Sequence, residues 1–255
     1  MELLKIATQI ARKGGDYLLT NFRRDPDLLS KRGLSKEVST KYDKECDRIL
    51  IDEITRRYPD HNLLTEESGK IERKGQYTWI IDSLDGTGNF AAGNPFFSVS
   101  IGIMKGDELI AGVVYAPYLE ELYAAQKGNG CTLNGKQVKV SEVSSLDQAY
   151  IVACEGGSKD NNSMTELFRN IYPKVKDMRK IGSAAIECGL VASGRADGYT
   201  TLSIHPWDVA AGVLLVKEAG GQVTDFKGKP WQPAQTDLVC SNKRIHEELR
   251  DLTCN

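Results

Sequence analysis

The sequence predicts a mixed α/β (α+β) fold, with an antiparallel sheet in its first half and an α/β arrangement in its second. Three observations lead there. Two amphipathic helical periods open the chain, short apolar or alternating runs follow from Asn62, and strand and helix patterns then alternate from Ala149 to the C-terminus. At 255 residues the chain supports one large layered unit or two packed subdomains, which we divide at 1–144 and 145–255.

Each element has its own signal. Leu3, Ile6, Ala7, Ile10, Ala11, Gly14, Tyr17 and Leu18 recur at helical spacing, so a first helix runs to about Phe22. The charged stretch from Arg23 to Asp43 holds Pro26 and Gly33 and shows no period. It reads as a surface loop or short hairpin. A second helix spans about Asp43 to Tyr58 and stops at Pro59. "NLLT", "TWII", "FFSVSIGIM", "ELIAGVVYA" and "ELYAAQ" are then strands, with Lys105-Gly106-Asp107 and Asn134-Gly135 as hairpin turns. In the second half come strand "AYIVAC", a helix from Ser163 to Ile171 and a strand near Asp177 to Lys180. A helix over Ser183–Ser193, a strand over Gly198–Thr201 and a helix over Asp208–Ala219 follow, then strand "DLVCS" and a last helix from about Arg244.

Composition removes several function classes. The 33 basic and 35 acidic residues leave a formal net charge of -2, too little field to draw the chain to nucleic acid or membrane. No apolar run approaches the roughly 20 residues needed to span a bilayer. The opening segment carries Glu2, Lys5, Arg12 and Lys13 and does not read as a secretory signal. Six scattered cysteines form no C-x-x-C pair and read as free thiols of a cytoplasmic protein. Three histidines, none near another, exclude a structural zinc site and leave oxygen ligands for any metal.

The chemistry concentrates in "WIIDSLDGTGN", Trp79 to Asn89. Asp82 and Asp85 follow a continuously apolar strand and precede Gly86 and Thr87. Asp, Ser, Gly and Asn are also ordinary turn-formers, so the motif alone is ambiguous. Other carboxylates stand at element ends: Glu66 and Glu67 after "NLLT", Asp43 at the second helix and Asp208 at the helix "WDVAAGVLLVKEAGG". Singly, Asp43 and Asp208 read as helix caps and Glu66–Glu67 as a solvated loop. Together at the end of a buried strand they would repel one another unless a cation compensates them. Mg²⁺ suits such an oxygen set, with the Leu84 carbonyl between the two aspartates, and the backbone N–H groups of Gly86 and Thr87 suit a phosphate. Phosphohydrolases that work through an aspartyl phosphate carry D-x-D-G-T. Here Ser83 stands two before Asp85, which puts Asp82 out of register and ranks covalent aspartyl catalysis below attack by water.

Five segments, "LLTEESG", "WIIDSLDGTGNFAAGNPFFSVSIGI", "GVVYAPYLEELYAAQKGNG" with "LNGKQVKVSE", "IGSAAIECGLVASGRAD" and "PWDVAAGVLLVKEAGGQVTD", resemble the inositol monophosphatase family in order over essentially the whole chain. The resemblance implies a layered α-β-α-β-α sandwich, similar in fold to fructose-1,6-bisphosphatase, that forms a homodimer. It implies Mg²⁺ bound by Glu66, Asp82, the Leu84 carbonyl, Asp85 and Asp208, with the metal site in the first subdomain and the second completing the active site. Glu66 and Thr87 would orient an attacking water, and Asp43 would ligate or position a further, weaker ion. Leu84, Asp85, Gly86, Thr87, Asp208 and the turn Gly182, Ser183, Ala184 would meet a small phosphate ester, and lithium would inhibit.

Two departures stand out. Ser83 replaces the usual proline, from which a looser turn is expected. Thr201 stands seven residues before Asp208, where inositol-selective members carry a glutamate that grips ring hydroxyls, so Thr201 is a candidate substrate contact that widens specificity toward other sugar phosphates, including fructose 1,6-bisphosphate. His205 reads as a loop histidine packed by Trp207, and Arg179 and Lys180 as candidates for a second substrate phosphate. A 3′-phosphoadenosine-5′-phosphate phosphatase shares the core motif, but no adenine-stacking signature supports it. A non-catalytic binding protein that keeps the fold is the other alternative, against which every matched carboxylate stands intact.

Overall fold

The computed structural model describes residues 2–25, 29–30, 38–155 and 161–253. Residues 26–28 and 31–37 of the expected loop, and Cys254, lie outside them. Helix α1 covers Glu2–Asn21, and the short strands β1 (Leu29–Ser30) and β2 (Val38–Ser39) pair antiparallel, as a hairpin requires. Helix α2 covers Lys41–Arg57 and starts two residues before the expected Asp43. The reason is a capping box: Thr40 Oγ1 accepts from the Tyr42 and Asp43 N–H groups, while Asp43 Oδ2 accepts from the Thr40 N–H at 2.8 Å.

The first sheet has eight strands: β3 (Asn62–Thr65), β4 (Gly69–Ile71), β5 (Tyr77–Asp85), β6 (Ser98–Lys105), β7 (Glu108–Ala116), β8 (Glu121–Gln126), β9 (Cys131–Leu133) and β10 (Lys136–Val138). Their order is β10-β9-β8-β7-β6-β5-β3-β4, and every pair is antiparallel except β3 with β5. Asn134 and Gly135 both have positive φ, 49° and 78°, as a type I′ turn demands. Strand β4 was not expected, because three residues are too short to show alternation. Between β5 and β6 lies helix α3 (Thr87–Ala92).

The second half carries β11 (Tyr150–Glu155), α4 (Asn161–Ile171), β12 (Asp177–Arg179), α5 (Ala184–Ala192), β13 (Gly198–Leu202), α6 (Pro206–Glu218), β14 (Gln222–Thr224), β15 (Asp237–Ser241) and α7 (His246–Asp251). Its five strands form a second sheet in the order β12-β11-β13-β15-β14, parallel on one side and antiparallel on the other.

Three apolar clusters separate five layers. Helices α1 and α2 cover one face of the first sheet around Trp79, Ile81, Ile101 and Val113. Helices α5 and α6 fill the space between the sheets around Ile80, Val114, Val152 and Tyr199. Helices α4 and α7 close the outer face of the second sheet through Leu167, Ile171 and Leu249. The arrangement is the expected α-β-α-β-α sandwich. Residues 79–81 read as unbroken apolar sequence because alternate side chains enter two different cores. Helix α6 lies unusually close to the first sheet: a Cβ on Gly102 or Gly112 would come within 2.9 Å or 2.8 Å of Ala210 and Ala211. That contact seats the first half of α6, which carries Asp208, on β6 and β7, next to the strand that bears Asp82.

The five cysteines among the described residues, Cys46, Cys131, Cys154, Cys188 and Cys240, are free and buried. No helix among the described residues is long and apolar enough to cross a membrane.

Candidate active site

The site begins with a bulge. Asp82 pairs with Ser100 and Asp85 with Ser98, so one extra residue of β5 fits between them. In a regular strand residues three apart face opposite ways. The bulge turns Asp82 and Asp85 to the same face, toward α5 and α6, while Leu84 enters the core beneath α1 and α2. Ser83 occupies this turn. Its hydroxyl is buried and donates to the Asp43 carbonyl at 3.0 Å, tying the strand end to α2.

Asp82 is 3% exposed, and its carboxyl is held well above the ordinary range, first by burial and then by the charges of Glu66, Asp85 and Asp208. Four of the expected metal ligands therefore share one electrostatic neighbourhood. Among the described residues no lysine or arginine forms an ion pair with Asp43, Asp82 or Asp85. The donor set is all oxygen, with Asp82 and Asp85 buried and the charges of Glu66, Asp85 and Asp208 opposing that of Asp82, which fits a hard divalent cation. As they stand, no three acidic, histidine or cysteine side chains among the described residues converge closely enough to enclose an ion.

Asp85 makes the most hydrogen bonds of the group. Its Oδ1 accepts from the Ala184 N–H at 3.0 Å, and its Oδ2 from the Ala185 N–H, the Ser98 hydroxyl and the Ser183 hydroxyl. Burial raises its carboxyl to about 6 against these donors. Ser183 and Ala184, expected at the substrate, thus face Asp85 and join the two halves. Asn89 reinforces the junction, donating to the carbonyls of Phe96, Ile181 and Gly182 at 2.9, 2.9 and 3.2 Å.

Thr87 Oγ1 lies 2.8 Å from Asp43 Oδ1 and 3.0 Å from the Leu84 carbonyl. Burial lifts the Asp43 carboxyl to about 6, opposed by its bonds to Thr40 and Thr87. Gly86 takes φ 86° in the turn that delivers Thr87 to the first position of α3, where the leading N–H groups have no carbonyl one turn earlier. One turn along α2 from Asp43, Asp47 Oδ2 accepts from the Thr65 and Ser68 hydroxyls at 3.1 and 2.6 Å and so braces the turn that carries Glu66.

Thr201 is not at the surface. It is 0% exposed, with its hydroxyl 3.8 Å from Cys154 Sγ, so as folded it presents no area to a ligand. Arg179 pairs with Asp177, and Lys180 with Glu155 at 2.6 Å, so both candidate phosphate-binding cations have acid partners. His205 stacks on Trp207 with ring centroids 4.7 Å apart, as its sequence context suggests, and its N–H donates to Asp208 Oδ2 at 2.7 Å.

Sequence reasoning missed Asp47, Ser98, Asn89 and Glu187. Only the capping box that sets Asp43, Thr-x-x-Asp, had a readable local signal.

A model of the inositol monophosphatase family matches residues 1–255. The chain belongs to the inositol monophosphatase family. A Thermotoga maritima member named fructose-1,6-bisphosphatase/inositol-1-monophosphatase is 38% identical over 250 residues, covering 98% of this chain and 94% of its own. An Escherichia coli member named Nus factor SuhB is 36% identical over 247 residues, covering 95% of this chain and 92% of its own. The structure of the extragenic suppressor protein SuhB from Bartonella henselae matches with a TM-score of 0.95 at 30% identity, covering 100% of this chain and 99% of that one. The family and the name of the Thermotoga maritima relative point to a phosphatase.

Proposed function

We propose that this chain is a magnesium-dependent phosphomonoesterase that hydrolyses a phosphate ester of inositol or of a related sugar by direct attack of water in line with the leaving alkoxide. The observation that carries the reading is the shared electrostatic neighbourhood of Glu66, Asp82, Asp85 and Asp208, with Asp82 and Asp85 buried, beside the Thr87–Asp43 pair. Glu66, Asp82, the Leu84 carbonyl, Asp85 and Asp208 would hold Mg²⁺. When bound, it supplies the positive charge that makes a water nucleophilic at neutral pH and offsets the phosphate charge.

The chain's own residues do the rest. Thr87 donates its proton to Asp43 and keeps lone pairs with which to accept from the attacking water. Glu66, on the β3–β4 turn, helps to orient that water. Gly86 and Thr87 offer backbone N–H groups to phosphate oxygens. The turn at Gly182, Ser183 and Ala184 borders the alcohol part of the substrate.

Hydrolysis of fructose 1,6-bisphosphate belongs to the same proposal, which the name of the Thermotoga maritima relative supports. A homodimer in the cytoplasm, implied by the family resemblance, completes it and is checked by sedimentation and fractionation. The principal test is phosphate release from a panel of inositol, sugar and nucleotide phosphates with and without Mg²⁺. Release from inositol 1-phosphate or fructose 1,6-bisphosphate that needs the metal is expected. Metal-independent release, or release from none of the panel, would reject the proposal.

A further inference from the structure

Glu187 lies in the first turn of α5, is 0% exposed, and has no part in the chemistry above. Its Oε1 accepts from the N–H groups of Ile181 and Gly182 at 2.8 and 3.3 Å. Those two residues lead directly into Ser183 and Ala184, and Gly182 holds φ 82°. The loop is thus gripped from three sides. Glu187 holds its first two N–H groups, Asn89 holds the carbonyls of the same two residues, and Asp85 holds Ser183, Ala184 and Ala185.

Capping α5 does not require Glu187. Ser183 is already the cap, accepting from Ile186 at 3.4 Å, and Asp85 satisfies the next two N–H groups. The glutamate instead carries a cost. Its carboxyl is buried, and beyond the Ile181 and Gly182 N–H groups it meets the Cys154 thiol, only a weak donor. Burial also raises its carboxyl to about 7, and Asp85 adds to that shift. A group that lowers stability while fixing one loop of the site is explained by what the loop does.

We infer that Glu187 is a positioning residue that holds the Gly182–Ser183–Ala184 loop at the height where it meets the alcohol part of the substrate. The inference rests on the proposed phosphatase reading. Its signature is an effect on KM, because the residue touches neither the phosphate nor the attacking water.

The experiment compares Glu187→Ala, Glu187→Asp and Glu187→Gln in full-length protein. It measures KM and kcat on the best ester of the panel, and amide hydrogen exchange of residues 181–184. Loss of two backbone hydrogen bonds should raise KM about 10-fold in Glu187→Ala, with kcat within about threefold. Glu187→Gln should stay within about twofold of wild type, since its amide oxygen accepts from the same two N–H groups. Glu187→Asp, shorter by one methylene, should fall between them and keeps the test open if the alanine variant does not fold. Faster exchange at Ile181 and Gly182 should accompany each rise in KM. Unchanged KM in the alanine and aspartate variants, even with reduced thermal stability, would overturn the inference and leave a packing role. If wild type hydrolyses no ester, the phosphatase reading fails instead. The exchange rates then decide the clamp alone, and equal rates in wild type and variants overturn it.

Discussion

The Thr87 hydroxyl, at the start of α3, sits 2.8 Å from Asp43 Oδ1 at the start of α2, so one proton joins the first helical layer to the end of the central strand. Ser83 adds a second tie between the same elements, through the Asp43 carbonyl.

Replacement of Thr87 by Val keeps the volume and removes the hydroxyl. We expect kcat to fall about 100-fold or more, near 3 kcal/mol of transition-state stabilisation, with KM little changed. Thr87→Ser should keep most activity. Steady-state kinetics on both variants checks this, and a Val variant as active as wild type would remove Thr87 from the chemistry.

Asp82 is costly to the folded protein without a cation, since burial and three like charges oppose its ionised form. Asp82→Asn should therefore raise the melting temperature of protein stripped with EDTA while lowering kcat at least about 100-fold. Wild type should gain on adding Mg²⁺, by about 2.7 kcal/mol at one hundred times Kd, and the variant should gain much less. Calorimetry with and without the metal reads both signs. Equal metal-induced shifts would detach Asp82 from metal binding.

Two glycines with nearly the same backbone should respond differently to alanine. Gly86 has φ 86°, and an added Cβ would lie 2.6 Å from the Phe96 carbonyl oxygen. At Gly182, φ is 82°, but the nearest atom, Asn89 Nδ2, is 3.4 Å away. Gly182→Ala should cost only the left-handed backbone term, about 1–2 kcal/mol. Gly86→Ala should cost more and displace Thr87, lowering kcat as well. Chemical denaturation of the two variants ranks them, and equal losses would contradict the clash.

His246 is fully buried, with Nε2 2.9 Å from the Thr224 hydroxyl and Nδ1 2.9 Å from that of Ser241. Burial lowers it from 6.5 to about 4. Its neutral form supports the fold above pH 6.5. As pH falls toward 4 the unfolded chain takes up the proton first, and that stability is lost. His246→Asn should be less stable than wild type at pH 7, and the gap should narrow by about 1–2 kcal/mol at pH 5. Parallel stability curves for the two proteins between pH 5 and 7 would show that the histidine does not titrate in this way.

Much of this molecule is determined by the sequence alone. The 3.6 and 2 periodicities place most of the helices and strands, though not α3, β4 or β14, the Asn134–Gly135 turn specifies its hairpin, and the five family segments carry Glu66, Asp82, Asp85 and Asp208. Such features depend on near neighbours in the chain, which is why they can be read from it. Helix α2 departs by two residues only because Thr40 and Asp43 cap each other. Tertiary structure decided the rest. Asp82 and Asp85 share a face because pairing with Ser98 and Ser100 introduces a bulge, and no local pattern in β5 announces the register of β6. Asp85 reaches Ser183, 98 residues away, and Glu187 turns back to grip Ile181 and Gly182 only once α5 is buried between two sheets. Thr201 is a plausible ligand contact in one dimension, yet the sheet that pairs it with Cys154 and Leu238 encloses it completely. Hydrogen bonds and burial between distant residues exist only after the layers have packed, so the direction of each site group is a property of the fold and not of its motif.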